Sequence, residues 1–344
     1  MLLKRLAGFS CATLLAGCVL GLSSAAASAA TLQGAGSTLI APLEAEWAAA
    51  WDSATGNTLT YNSVGSGTGY KDIANGLVDF GASDAPLSAY NNTPPCNNCV
   101  QIPWGLTATG VSYSIRGLRL PRGKALHLSP QVIAAIYQGQ IKNWADPRIT
   151  RINRGAHIPS TPISVFWRSD ASGDSFAFTS ELSDVSGSFR SAVGASTQPS
   201  FPTGVGEKGN GGLASAIGST NGGIAYISVA YLLANNLPAA AVQNRHGIYA
   251  VPNLNAIKAA ATVVHSVPRG NQVTIVNPPR NVKSAYPIST FTYFIAPTNA
   301  KQGALLQAFL RYALGSGQSF GPRLGFAPLP KDVHNAAERA VGTI

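Results

Sequence analysis

GAGSTLIAPLEAEWAAAW, residues 34–51, passes within a few positions from glycines and small hydroxyls into a run that reads as an amphipathic helix. Glycine placed directly before a helix has two readings. It can serve a tight strand-to-helix turn whose dihedrals other residues adopt poorly. It can also let backbone N–H groups close on an anion, because a helix N-terminus leaves them unpaired and partly positive. The stretch alone leaves both readings open.

Working outward, the same design recurs. NTLTYNSVGSGTGYKDI (57–73) reads as strand, glycine turn and helix, and LVDFGASDAPLS (77–88) as a short apolar strand ending in a polar turn. Residues 89–103 are rich in Asn and Pro and read as loop. Ser129-Pro130 supplies an N-cap and a first-turn proline, with Val132, Ile133, Ile136 and Tyr137 on one face. ISVFW (163–167) is a strand, RSDASGDS a tight turn, and FAFTSEL a helix expected to bury Phe176 and Phe178. GNGGLASAIGSTNGGIAYIS (209–228) repeats glycine turn, helix and strand, STFTYFIA (289–296) is a strand, and GALLQAFLRYAL (303–314) an amphipathic helix. Strands alternating with helices imply an α/β chain, whose ligands sit where strands end and helices begin. No internal repeat or low-complexity linker separates independent domains.

MLLKR, the apolar run 6–22 and SSAAASAA have the three parts of a secretory signal peptide, with Ala27-Ser28-Ala29 as cleavage site and residues 1–30 as leader. Leu15-Ala16-Gly17-Cys18 offers a rival, a lipoprotein box anchored through Cys18; apolar residues continuing past that cysteine favour cleavage near Ala30. No other run is long enough for a membrane helix. The remaining 314 residues suffice for two ordinary domains or one large one. Losing Lys4 and Arg5 takes the net charge from +10 to +8, and charged residues are only 11% of the chain, so the basic excess reads as diffuse. No Lys/Arg cluster interleaved with aromatics marks a nucleic-acid groove. Past the leader only Cys96 and Cys99 remain; after Pro94-Pro95 they read as a local disulfide rather than a redox C-x-x-C motif or a zinc site.

Three turns could each present hydroxyls and N–H groups to one point: GAGSTL (34–39), GSGTG (65–69) and RSDASGDS (168–175). Together with GASDAPLS (81–88), IYQGQIKNW (136–144) and GEKGNGG (206–212), in that order along the chain, they make a sequence that resembles the periplasmic phosphate-binding proteins of high-affinity ABC phosphate transporters. DFGASDAPLS followed by R-x-D-x-S-G is the specific part. The resemblance runs from Gly34 almost to the C-terminus.

It implies a phosphate site made of Thr38, Leu39 (through its backbone N–H), Ser66, Asp84, Arg168, Ser172, Gly173 and Asp174, with Asp170 holding Arg168. Asp84 is the informative member. Phosphate keeps at least one P–OH at neutral pH, and a carboxylate can accept that proton; sulfate has none to give. Read without the resemblance, Asp84 serves equally well as a turn residue. Where the family pattern has threonine this chain has Asp174, whose carboxylate either turns away as a first-turn acid or becomes a second acceptor favouring the two-proton form of phosphate. The family's phenylalanine is Leu39 here, which matters little for a backbone contact.

The resemblance also implies a two-lobed periplasmic binding protein of the type II kind. One lobe would comprise about 31–105 plus 287–344 and the other 106–286, with strand crossings near Pro103–Leu106 and Tyr286–Ile288. Its partners would be inorganic phosphate and a membrane permease, with the chain a monomer and no cofactor or metal. The competing readings are a binder of another oxyanion, a secreted phosphatase, or a surface adhesin. A phosphatase would need a base or metal beside Ser66 or Ser172, and the five histidines (127, 157, 246, 265, 334) are scattered without a paired motif.

Overall fold

The computed structural model describes residues 29–90, 96 and 98–344; the leader through Ser28, with Cys18, and the Pro94-Pro95 pair lie outside them. Among the described residues, eleven strands form two sheets: β1 (Thr31–Gly36), β2 (Thr58–Ser63), β3 (Phe80–Ser83), β4 (Cys99–Ser114), β5 (His127–Leu128), β6 (Ser164–Arg168), β7 (Val205–Glu207), β8 (Gly223–Ser228), β9 (Ala241–Gln243), β10 (Tyr249–Ala250) and β11 (Ser289–Pro297). Eight make one sheet in the order β2-β1-β3-β11-β4-β8-β6-β7, and β10-β9-β5 make a small second sheet. At the two ends, β1 lies parallel to β2 and β3, and β6 parallel to β7 and β8; the central β11 and β4 run antiparallel to their neighbours. The α/β class read from the sequence is the class found.

The organising element is β4. Residues Cys99–Ala108 pair with β11, and Thr109–Ser114 with β8, so one strand ties the two ends of the sheet together. The expectation that 89–103 is loop is overturned here, because β4 begins at Cys99. Pro103 and Gly105 disguised the strand. Both flank Trp104, the extra residue where the β4–β11 register shifts, and a bulge tolerates the N–H that proline lacks.

A core lies on each side of this crossing. One gathers Trp47, Phe80, Trp104, Phe294 and Phe309, with Phe80 and Phe294 stacked 4.8 Å apart and Trp47 5.0 Å from Trp104. Each such buried ring contributes roughly 2–3 kcal/mol. The other gathers Ile133, Ile136, Tyr137, Phe178 and Tyr226. The helix Ala41–Thr55 buries Leu43, Trp47 and Trp51, four residues apart, and ends on Gly56 in the left-handed region at φ 72°, where its N–H bonds Asp52 O. Ser129 caps Pro130–Tyr137 as its sequence foretells, accepting from the Val132 N–H. In the helix Gly173–Val185, Phe178 is buried but Phe176 is only half-buried, contrary to expectation: Phe178 shares a face with Ala177 and Leu182, and Phe176 falls beside it. Cys96 and Cys99 are joined by a disulfide at the mouth of β4.

Candidate functional site

The turn after β1 is pinned to β3 by a hydrogen bond from Ser37 N–H to Ala82 O at 2.9 Å. The Ser37 hydroxyl donates to Asp84 Oδ2 at 2.5 Å and accepts from Leu39 N–H at 3.0 Å. Thr38 and Leu39 therefore lie in the turn before the helix, whose first residue is Ala41. Leu39's N–H, read from the sequence as a free donor, is taken up by Ser37 because a buried N–H requires a partner.

Ser66 begins the next helix, Ser66–Ala74, after Gly65 at φ 97°. That glycine is required twice over: its dihedral is left-handed, and a Cβ there would strike the Asp170 carboxylate. The Ser66 hydroxyl donates to Asp84 Oδ2 at 3.3 Å and accepts from Gly173 N–H at 3.2 Å. Gly173 starts the helix Gly173–Val185, with Ser172 as N-cap accepting from Ser175 N–H. A Cβ on Gly173 would lie 2.5–2.6 Å from Asp84 backbone and side-chain atoms, so only glycine lets this helix end approach the carboxylate.

Arg168, 1% exposed, ends β6. Its Nε donates to Asp170 Oδ1 at 2.8 Å and its Nη2 to Asp170 Oδ2, a two-pronged clamp that fixes the guanidinium plane. Nη1 reaches a second carboxylate, Asp174 Oδ2, at 3.2 Å. Asp174 is wholly buried and turned inward, against the reading of a first-turn acid facing away. It also accepts from Thr109 Oγ1 at 2.6 Å and Asn210 Nδ2 at 2.7 Å. Asn210 donates in turn, from both its N–H and Nδ2, to Thr38 Oγ1.

The structure thus gathers Thr38, Ser66, Asp84, Arg168, Ser172, Gly173 and Asp174 into one buried network, with Leu39 attached through Ser37 and Asp170 behind Arg168. Ser37, Thr109 and Asn210 belong to it and were missed. Asn210 sits inside the quoted GEKGNGG stretch and Ser37 inside GAGST, so both carried a signal. Thr109 carried none until β4 was seen as a strand.

Electrostatically the site is acidic. Burial, and then the charge of Asp174, push the Asp84 carboxyl up to about 7, with the Ser37 hydrogen bond pulling the other way. Burial also raises Asp174, opposed by Arg168. Asp170 is held below the ordinary range: its burial works against this, and the bonds and charge of Arg168 prevail. Asp84 Oδ1 is buried and has no hydrogen-bond partner among the described residues. As donors, the hydroxyls of Thr38 and Ser172 also lack an acceptor among them. A cleft of about 280 Å³ lined by Thr38, Ser63, Asp170, Lys208 and Tyr231 opens beside the network. Unspent donors in one network with a carboxylate that has an unspent acceptor suit an anion that still carries a proton. Among the described residues no cluster of His, Cys, Asp and Glu has metal-binding geometry.

Residues 23–316 match the family model described as a PBP superfamily domain. The phosphate-binding protein PstS of Xylella fastidiosa (strain Temecula1) is 34% identical over 306 residues, which is 88% of this chain and 82% of that protein. PstS of Pasteurella multocida is 32% identical over 309 residues, covering 89% and 88%. Among solved structures, a high-affinity periplasmic phosphate-binding protein bound with phosphate at pH 8.5 shares the fold. Its TM-score is 0.71 at 21% identity, covering 90% of this chain and 93% of that one.

Proposed function

The chain belongs to the PstS phosphate-binding proteins of the PBP superfamily, and from that membership we propose that it captures inorganic phosphate outside the cytoplasmic membrane and delivers it to an ABC-type import permease. The observation that carries the reading is Asp84: a buried carboxylate whose Oδ2 is fixed by Ser37 and Ser66 while Oδ1 has no partner. A bound phosphate would give its P–OH proton to Oδ1. Its other oxygens would take hydrogen bonds from Thr38, Arg168, Ser172, Ser66 where its hydroxyl exchanges the 3.3 Å contact with Asp84 for the ligand, and the N–H groups at the start of the helix Gly173–Val185, where the backbone dipoles favour an anion. Sulfate brings no proton, so its oxygen would meet Asp84 acceptor to acceptor. Leaving that buried contact unsatisfied costs roughly 1–3 kcal/mol, more for charged groups, which is the basis we assign to discrimination against sulfate.

Delivery requires opening. The two lobes we assign are residues 31–105 with 287–344, and 106–286, hinged where the chain crosses near Pro103–Leu106 and Tyr286–Ile288. The separate cores on either side of the crossing and the change of partner along β4 between Ala108 and Thr109 support this division. The site draws residues from both, so closing would take the anion out of water, and the closed form would be what the permease recognises. The chain acts as a monomeric carrier without catalysis, exported by its N-terminal leader. Among the described residues no helix is long and apolar enough to cross a membrane.

The test is calorimetric titration of phosphate-stripped protein with phosphate and sulfate at pH 8. One-to-one phosphate binding without turnover, with sulfate silent, supports the reading. Binding of both anions alike removes the role given to Asp84, and binding of neither removes the site.

A further inference from the structure

The basic excess that reads as diffuse in the sequence is gathered by the fold. Residues 106–286 hold sixteen Lys/Arg against six Asp/Glu, whereas the rest of the chain beyond residue 30 holds six against eight. Within 115–157 there are eight basic residues and one acid, Asp146, which Arg148 pairs. The stretches 116–124 and 151–157 are brought side by side by two hydrogen bonds, Arg119 N–H to His157 O at 3.0 Å and His157 N–H to Arg119 O at 2.8 Å. Arg116, Arg119, Arg122, Lys124, Arg151 and Arg154 are all exposed, and none makes an ion pair among the described residues. A groove of about 290 Å³ runs between the two stretches, lined by Lys124, His127, Arg151 and Arg154.

Its position separates it from the site described above. Thr109 touches Asp174, and β4 continues five residues beyond it, roughly 16 Å at strand rise, before the chain reaches Arg116. Arg168 likewise sits at the site end of β6, with the 151–163 segment leading into its opposite end. The groove shares no lining residue with the anion network.

We propose that this groove is a second binding surface, for a linear polyanion of repeating phosphoryl groups, with inorganic polyphosphate as its ligand. Three unpaired cations lining the groove, with Arg116, Arg119 and Arg122 exposed on the stretch that forms one of its walls and no acid among them, match a ligand carrying repeated charge. Nucleic acid fits less well. The groove offers no free ring for base stacking, since His127 is already stacked on Tyr249 at 4.1 Å. An anionic membrane fits less well too, because the large exposed apolar residues, Leu77, Val205, Leu233 and Ile248, lie outside both stretches.

The experiment titrates the purified chain, saturated with orthophosphate, with long-chain inorganic polyphosphate. Binding is expected to persist under saturating orthophosphate. It should weaken roughly a hundredfold or more between 50 and 200 mM salt, as six counterion-linked contacts require. The variant K124E/R151E/R154E, altered only at exposed positions, should lose at least about tenfold in polyphosphate affinity at 50 mM salt while binding orthophosphate as before. Displacement of polyphosphate by orthophosphate overturns the proposal, as does an unchanged affinity in the variant. So does tighter binding of single-stranded DNA or of anionic phospholipid vesicles through the same three residues. Because orthophosphate binding is measured in parallel, failure here is distinguishable from failure of the transport reading.

Discussion

Replacing Asp174 with threonine isolates what the second carboxylate at Arg168 does. Asp174 is wholly buried, bonded to Arg168, Thr109 and Asn210, and adjoins the helix start where the anion is proposed to sit. A unit negative charge about 5 Å from a bound monoanion, at an effective dielectric near 20, repels it by about 3 kcal/mol. Burial raises the Asp174 carboxyl, so its charge is present at high pH and is lost as pH falls. Asp170 keeps its two-pronged hold on Arg168 in the variant, and Nη1 is freed to donate to the ligand. Asp174→Thr is therefore expected to tighten phosphate binding at pH 8 by about 2 kcal/mol, near thirtyfold, and to have a smaller effect at pH 5.5, since the raised carboxyl carries less charge as pH falls. Calorimetry on both proteins at both pH values gives the comparison, and the variant-to-native ratio cancels phosphate's own titration. A variant that binds more weakly at pH 8 would show that Asp174 serves to hold Arg168 and would refute the repulsion argument. A ratio equal at both pH values would show that ionisation is not the cause.

Sulfate should be silent at pH 8 and gain affinity as pH falls through about 7, because a protonated Asp84 can donate to it; in Asp84→Asn, titration should find sulfate binding with little pH dependence. Gly173→Ala forces a Cβ to within 2.5–2.6 Å of Asp84 atoms. Overpacking strain of about 1–3 kcal/mol should weaken phosphate binding roughly ten- to hundredfold, with circular dichroism unchanged; native affinity in that variant would contradict the close approach. Glu44 is buried, with Oε1 unpartnered, and burial followed by the charge of Asp52 pushes it from 4.5 up to about 8. The folded state then holds a proton that the unfolded chain releases above 4.5, so stability falls as pH rises from 4.5 to 8, by up to about 5 kcal/mol. Glu44→Gln should show a markedly smaller loss between pH 5 and 8 in denaturant unfolding, and an equal loss in both proteins would rule Glu44 out as the source.

The α/β class, most helices and most residues of the anion network were legible, the network residues because the glycine turns together resemble a known family's pattern. GAGST, GSGTG and R-x-D-x-S-G are local patterns, and local patterns survive in a sequence without its fold. Whatever depended on long-range pairing was hidden. β4 contains Pro103, Gly105 and Gly110, which read as breakers, yet their positions are set by a bulge and by neighbours such as Leu232, whose side chain leaves no room for a Cβ at Gly110. Thr109 became a site residue only once β4 carried it to Asp174. The direction of the Asp174 side chain was likewise undecidable, since a first-turn acid is favourable facing either way until Arg168 and Asn210 are in place. The basic groove was invisible for the same reason: its two arms are some thirty residues apart in sequence.

The two charged features of this molecule act on different scales, and neither substitutes for the other. At 0.15 M ionic strength the Debye length is about 8 Å, and the basic groove shares no lining residue with the anion network. The six exposed cations can steer an anion towards the protein but add little to its binding once it arrives. In the network one buried guanidinium faces Asp84, Asp170 and Asp174, so net charge does not favour anion binding there. What can hold an anion is directional: hydroxyls, helix-end N–H groups and Arg168 locked in one plane. Such a site gains most from a ligand whose own protons meet Asp84, and for that reason its selectivity should follow the protonation state of the anion more closely than its charge.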